Sequence, residues 1–516
     1  MSLIRSTLTV GGLTMASRLL GFVRDVLIAR YVGAGMAADA FFVAFKLPNL
    51  FRRLFAEGAF SAAFVPLFAA AAARSKAEGR SFAEHVLAAL LPILLIFTAA
   101  MEALMPWVVL AITGGFYGAG PEKFALAVEL TRATFPFLAL ISLVSLLGGA
   151  LNALGRFAAA AAAPVLLNLA LIGALLFFHD GEVAAARALA IAVTVSGLIQ
   201  LVWLMLAAER AGIGLRLRWP RLSPQVRRML VLMLPVALGA GAQQINLLID
   251  TILASRFLPE GSLSYLYFGD RLNQLPIGVI GVALGTVLLP TLSRQIAEKA
   301  DAAALHSQNR AVELALLLTL PAAAGLLLIP EGIVRVLFER GAFDALATAK
   351  SAAALAAYAL GLPAYVLIKV LVPGFYARKD TATPVRIAIA SLATNSVLGV
   401  VLMFPLAHVG LALATAIAAW LNAGLLYLTL RRRGHFRIDA GLRLRGVKIC
   451  LAALIMGLAL ILLSHVMRGM LEPSAPWAIA ALIALILAAG IVYVLAVLAL
   501  RIFTLAEMKA RFKRRA

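Results

Sequence analysis

Six cations and four acids stand in stretches of this chain that are too apolar to hold charge at low cost. Arg18, Arg24, Lys46, Arg52, Arg53 and Arg271 interrupt long hydrophobic runs, with Asp25, Asp39, Glu57 and Asp270 interleaved among them. A cation at the centre of a membrane helix costs roughly 2.5–3.5 kcal/mol, so these six together with Arg132 and Lys369 sum to the order of 10 kcal/mol or more even after discounting residues near helix ends. Such charges persist where they face one another, a wet cavity or an anionic ligand. Helical spacing sorts them. Asp39, Lys46 and Arg53 recur at intervals of seven and share a face, which Glu57 extends. Arg18 and Asp25 share another face, while Arg24 and Arg52 project elsewhere. Internal pairing of Asp39 with Lys46 and of Arg18 with Asp25 accounts for part of the set. Six cations against four acids still leave a surplus of positive charge. Guanidinium forks match phosphate oxygens, and a pyrophosphate headgroup would offset that surplus. The chemistry implied is binding.

A second polar set comprises Asp250, Asn395, Ser396 and Thr415. Hard cations such as Na⁺ take oxygen ligands, and interhelical hydrogen bonding is the alternative use of such residues. Arg132 has Glu129 three residues before it, a helix-pair spacing. Lys369 lies near the end of its apolar run, from which it can snorkel.

The elements that must carry these residues follow from composition. Of 516 residues, 63% are hydrophobic and 14% charged, with a mean hydropathy of +0.99. Soluble domains average about 45–50% apolar and about 25% charged. A soluble enzyme, a disordered chain and a nucleic-acid binder are excluded, the last despite a net charge of +22. The lone Cys450 allows no intrachain disulfide. Apolar runs fall at 4–30, 37–69, 83–112, 124–153, 157–178, 183–207, 229–256, 263–292, 311–329, 347–376, 385–405, 408–430, 446–467 and 476–503. Their length suits helices of about 20 residues rather than barrel strands of about 10. The fold class expected is an all-α polytopic membrane protein with about 14 transmembrane helices.

Thirty of the 46 basic residues fall in one alternating set of connections and the tail, and eight fall in the opposite set. The positive-inside rule then places both termini in the cytoplasm. Most of the +22 is topology and contact with anionic membrane lipids.

The chain also repeats itself. Asp25 matches Asp250, Ala29 matches Ala254 and Lys46 matches Arg271, each 225 positions on. Six spans preserve orientation, so the repeat describes two parallel lobes of the kind that rock about a midplane site. The domains expected are 1–224 and 225–433 as the two lobes, 434–505 as two extra spans, and 506–516 as a basic tail.

Several segments resemble a known family. SRLLGFVRD at 17–25, DAFFVAFKLPNLFRRLFAEGAFSAAFVP at 39–66, GDRLNQLPIGVIGVALGTVLLP at 269–290 and VPGFYARKDTATPV at 372–385 are similar to the MurJ (MviN) lipid II flippases. That family belongs to the multidrug/oligosaccharidyl-lipid/polysaccharide (MOP) exporter superfamily. The resemblance covers essentially the whole chain. It implies an inner-membrane transporter, not an enzyme, that carries lipid II to the periplasmic leaflet for peptidoglycan synthesis, with other cell-wall synthesis proteins as partners. It assigns substrate binding to Arg18, Arg24, Arg52 and Arg271, and accompanying cavity or gating charges to Asp25, Asp39, Lys46, Arg53 and Glu57. Spans 13 and 14 would form a groove for the lipid tail. Some relatives hold sodium in spans 7, 11 and 12, where Asp250, Asn395 and Thr415 match. Gly399 and Gln274 depart from that pattern, which leaves sodium and the membrane potential both open as the drive. No other cofactor is implied. An insertase or scaffold with a wet basic groove for acidic peptides is one alternative, and two further readings stand beside it. Another MOP exporter, of drugs or lipid-linked oligosaccharides, is one, although a cationic-drug exporter calls for an acidic cavity. A polyprenyl-phosphate membrane enzyme is the other, and it calls for clustered acids around Mg²⁺.

Overall fold

The computed structural model describes residues 3–53, 60–116, 120–220, 223–473 and 475–502. Glu57 and the tail 506–516 lie outside the described residues. Seventeen α-helices follow one another, and no strand occurs among the described residues. They are α1 (Leu3–Val32), α2 (Met36–Phe51), α3 (Phe60–Arg74), α4 (Lys76–Thr113), α5 (Pro121–Thr134), α6 (Phe137–Ala153), α7 (Phe157–Phe177), α8 (Glu182–Arg210) and α9 (Pro224–Phe257). They continue as α10 (Ser262–Pro276), α11 (Val282–Ala297), α12 (Asp301–Leu328), α13 (Pro330–Phe338), α14 (Ala345–Tyr376), α15 (Ala382–Arg432), α16 (Ala440–Val466) and α17 (Ala478–Ala499). Among the described residues, nine helical stretches are long and apolar enough to cross a membrane by length and composition. Their outer faces carry Trp107, Ile96 and Phe404, each at least 70% exposed, as surfaces solvated by lipid do.

Among the described residues every expected span is helical, and two of the spans are broken. The run 37–69 contributes α2 and α3, and its residues 54–59 lie outside the described residues. The run 124–153 is interrupted at Phe135–Pro136, where proline cannot donate to the helix ladder. The run 263–292 passes through a π-helical turn, Ile277–Gly281, just after Pro276. Arg52 and Arg53 are π-helical too, and Arg52 lies 225 residues before Ile277, so the second span of each repeat is disturbed at the same place. The short amphipathic α13 has no counterpart among the expected spans.

Spans 11 and 12 run together as α15, which is interrupted at Ala407 (φ 48°, ψ −132°). A straight helix of 51 residues would hold its ends about 75 Å apart. Here they meet. Arg433 donates to Asp380 at 2.5 Å and to the Thr383 hydroxyl at 3.0 Å, while Asp380 accepts the Thr383 N–H at 3.0 Å. α15 is therefore a hairpin. Gly410 permits its arms to close, because a Cβ there would strike the Leu402 carbonyl.

The chain forms two compact units. One is Met1–Ser264 with Gly341–Phe343, and the other is Tyr265–Arg340 with Asp344–Ala516. In the first unit α1 packs on α7, α2 on α5, and α6 on α8, while α9 lies against α3 and α4. Phe41, Phe64, Phe68, Phe135 and Phe137 fill its core. In the second unit α14 packs on α12 and α15, and α16 bridges α12 and α17.

Each unit also buries a glutamate in the same kind of clasp. Glu84 of α4 accepts from Arg80 at 2.9 Å, Arg218 at 2.6 Å and the Arg216 N–H at 3.1 Å. Glu313 of α12 is held by Arg310 and, at 3.0 Å, by Arg445, while Arg310 also forks onto Asp439 at 2.8 and 2.9 Å. Both acids are 1% exposed, and each ties the segment after a repeat's last span back to that repeat's third span.

Candidate functional site

In the last third of α1, Arg24 and Asp25 are buried together, at 7% and 0% exposure. Arg24 donates Nε (3.0 Å) and Nη2 (2.6 Å) to one oxygen of Asp25. Its Nη1 donates to Asn168 Oδ1 at 3.0 Å, and its guanidinium lies 5.8 Å from the centre of the Phe45 ring. Asn168 is itself fixed, donating to the Ser17 carbonyl at 2.9 Å and the Pro164 carbonyl at 3.1 Å. The guanidinium is thus aimed by a neighbour on α1 and by an amide on α7. The expected pairing of Asp25 with Arg18 does not occur: Asp25 holds the adjacent Arg24, whose long side chain folds back to it. Arg18 is exposed and lines a cleft with Asn152, Phe157 and Pro164.

Asp39, in the first turn of α2, is 2% exposed and collects four donors. Lys123 Nζ and the Gly261 N–H reach Oδ2, each at 2.8 Å. The Ser264 N–H (3.0 Å) and hydroxyl (2.6 Å) reach Oδ1. The carboxylate therefore satisfies amides at the start of α10, which a helix leaves without intrahelical acceptors. Ser264 stands 225 residues after Asp39, so equivalent positions of the repeat meet here. Lys123 is 3% exposed, lies 4.7 Å from the centre of the Phe116 ring, and has Glu260 at 3.9 Å.

The expected pair of Asp39 with Lys46 is replaced by Asp39 with Lys123. Seven residues of helix are about 10.5 Å, whereas helix neighbours are three or four apart. Lys46 instead donates to the Thr251 hydroxyl on α9 at 3.2 Å. At the same end of the first unit, Gly33 (φ +74°) leaves no room for a Cβ beside the Ala342 carbonyl, and the Ala342 N–H donates to the Arg30 carbonyl at 2.9 Å.

Arg52 donates to Asn49 at 3.1 Å at the onset of the π-helical residues. Arg53 is exposed. Arg271 is half-buried on α10 in the second unit, where the neighbouring Asp270 accepts from Gln274. In the same unit Lys369 passes over Gly281, whose missing Cβ leaves room for the lysine stem at the end of the π turn. Arg132 donates to the Glu102 carbonyl at 3.3 Å rather than pairing with Glu129. Glu129 takes a two-pronged contact from Arg187, at 2.7 and 2.9 Å.

Of the oxygen-bearing set, Asp250 is half-buried in the first unit. Asn395, 2% exposed, and Thr415 belong to the second. Thr415 donates to the Leu411 carbonyl at 2.9 Å, which leaves its hydroxyl lone pairs able to face a cation. All three are oxygen donors, the type a hard cation takes. Among the described residues, no cluster of three or more His, Cys, Asp or Glu side chains forms a metal site.

Sequence reasoning missed Lys123, Asn168, Ser264 and Thr251. Two of them left a signal. Lys123 falls one residue before the span drawn from 124, and Asn168 is the one polar side chain in the run 157–177.

A multi-pass helical body with buried, compensated charges defines a polytopic integral membrane protein. The family model described as "Lipid II flippase MurJ" matches residues 28–482. A probable lipid II flippase MurJ of Rhizobium tropici is 45% identical over 469 residues, covering 90% of this chain and 88% of the relative. Its counterpart in Rhizobium meliloti is 47% identical over 464 residues, covering 89% and 86%. A solved structure of lipid II flippase MurJ in an inward closed conformation aligns with a TM-score of 0.79 at 27% identity, covering 94% of this chain and 97% of that one. An inward-facing multidrug MATE transporter of the MOP superfamily aligns at 0.66 and 17% identity, covering 83% and 97%, a likeness of fold. The chain belongs to the MurJ lipid II flippase family, and it is a transporter, not an enzyme.

Proposed function

We propose that this protein carries lipid II, the undecaprenyl-pyrophosphate-linked peptidoglycan precursor, from the cytoplasmic to the periplasmic leaflet of the bacterial inner membrane by alternating access. Arg18, Arg24, Arg52 and Arg271 are the proposed pyrophosphate ligands. The observation that carries this reading is the aimed, buried guanidinium of Arg24. An unpaired buried cation is costly; Asp25 compensates it until phosphate oxygens take over part of the fork. Binding then exchanges one anion for another and leaves no charge stranded.

Asp39 supplies the second half of the cycle. Its four donors tie α2, α5 and the start of α10 together at the end that the positive-inside rule assigns to the periplasm. Outward opening must break that knot, and a bound substrate can drive it only by favouring the opened state. Lys46, Arg53 and Glu57 are proposed to accompany these moves. The two lobes and the appended pair α16 and α17 keep their proposed roles, with the polyprenyl tail beside the pair. An apolar cleft of about 490 Å³, lined by Leu327, Leu360, Leu454 and Leu458, supports that placement. For the drive, the membrane potential supplies about 2.3 kcal/mol per charge per 100 mV. Sodium at Asp250, Asn395 and Thr415 is the competing proposal. Replacing sodium by choline at constant potential separates the two, because only sodium coupling then stops transport.

The test is rescue of cells depleted of their own flippase, with lipid II scored by a cleaving toxin confined to the periplasm. Wild type should restore cleavage, and normally expressed Arg24→Ala and Arg271→Ala should not. Wild type that reaches the membrane but leaves lipid II inside contradicts the function. Mutants that flip normally contradict the arginine site.

A further inference from the structure

Away from Arg24 and Asp39, the first unit has an open cleft of about 880 Å³ where the end of α6, the start of α7 and the last two turns of α8 come together beside Thr9 of α1. Its walls are apolar, with Leu154, Phe157 and Leu206 prominent among them, and its polar end is made by Arg156 and Arg210. Arg156 Nη1 donates to the Arg210 carbonyl at 3.2 Å, which keeps the two cationic residues together. Among the described residues neither forms an ion pair, and no carboxylate lines the cleft. Glu209, next in sequence to Arg210, packs its stem beside Gly214 instead. Two turns back along α8, Trp203 donates its indole N–H to the Ala159 carbonyl at 3.1 Å and stays 41% exposed. An amphipathic ring fixed in that way suits the boundary between headgroups and acyl chains.

We propose that this cleft seats an anionic phospholipid of the bilayer, its phosphate between Arg156 and Arg210 and one acyl chain lying past Leu206 toward Trp203. The charge complementarity is direct: two cations without acidic partners at one end of an apolar trough. Both arginines fall in the connections expected on the cytoplasmic side, so the lipid would come from the inner leaflet. A bulky sugar-peptide headgroup would want polar walls. The lining offers Thr9 and the two arginines as its charged or hydroxyl side chains, which fits a small phosphate headgroup better.

The test is native mass spectrometry of the full chain in detergent with phosphatidylglycerol or phosphatidylcholine, compared with two variants. Wild type should retain phosphatidylglycerol in preference to phosphatidylcholine. The Arg156→Ala/Arg210→Ala double variant should lose that preference by about tenfold or more, since each basic group near an anionic lipid accounts for about fivefold. Leu206→Trp, which fills the trough and keeps both cations, should lose it as well. The Arg156→Lys/Arg210→Lys variant keeps the charge and should retain most of the preference, which separates charge loss from misfolding. Equal retention of the two lipids by wild type overturns the proposal, as does an unchanged preference in a folded double alanine variant. Loss in the alanine variant but not in Leu206→Trp would show diffuse surface charge rather than a seat. Displacement of phosphatidylglycerol by equimolar undecaprenyl pyrophosphate would assign the cleft to the substrate, also against the proposal.

Discussion

Two buried acid–base pairs in the first unit look alike by composition and differ in geometry. At Asp39 the acid is the hub: two amides, a hydroxyl and Lys123 all converge on it from two other parts of the chain. At Arg24 the base is the hub, with Asp25 using one oxygen and Asn168 aiming a second edge of the guanidinium. A saturated carboxylate holds elements together. A cation whose counter-ion is its neighbour in sequence can exchange that counter-ion without moving a helix. The first arrangement suits a lock and the second a ligand site.

The largest effect on transport expected from breaking this contrast is Arg24→Ala, which should reduce lipid II flipping at least about tenfold, given that hydrogen bonds to charged groups are worth about 1.5–3 kcal/mol. The toxin assay, corrected for membrane level, reads it. Asp39→Asn should act on stability instead. It removes the carboxylate that pairs closely with buried Lys123, leaving Glu260 at 3.9 Å, and breaking a buried pair costs about 3–5 kcal/mol. Thermal unfolding in detergent should show the loss, and adding Lys123→Met should recover part of it. Asn168→Ala should weaken flipping less than Arg24→Ala while leaving the Asp39 end intact, because Asp25 still compensates the guanidinium. Ser264→Ala removes one of four donors to Asp39 and should cost about 1 kcal/mol.

The smallest effect belongs to a pair outside the membrane. The Thr383 hydroxyl and the Arg433 guanidinium hold the Asp380 carboxyl well below the usual carboxylate range. A carboxyl depressed in the folded state contributes stability above its unfolded value of about 3.9 and loses it progressively as pH falls below that. The melting difference between wild type and Asp380→Asn should therefore shrink from pH 7 toward pH 3. A difference that grows on acidification would contradict the pairing at the α15 hairpin.

The sequence revealed which residues are expensive, because a charge in an apolar run stands out whatever the fold. It did not reveal their partners. Helical periodicity says which residues share a face, and so linked Asp39 to Lys46 and Arg18 to Asp25. Contacts between helices depend on packing, and there Asp39 meets Lys123, 84 residues away, while Arg24 meets Asn168, 144 away. Span existence was legible from length and apolarity alone. The breaks at Pro136 and after Pro276 were marked by proline but not located, because proline is also tolerated inside α4, α7 and α14. The repeat was visible at Asp25 and Asp250 and invisible at the Glu84 and Glu313 clasps. Those clasps preserve the role of the acid while their arginines come from different spacings, four residues before Glu84 and three before Glu313.

The most direct test of the central claim is lipid II binding to the purified full chain in nanodiscs, with Arg24→Ala and Asp39→Asn compared in parallel. Arg24→Ala should weaken binding by about tenfold or more while Asp39→Asn stays within about twofold of wild type, the separation expected of a charged hydrogen-bond donor against a remote lock. Equal affinity in the Arg24 variant, or a larger loss in the Asp39 variant, would contradict the assignment of Arg24 as the phosphate ligand and Asp39 as the lock.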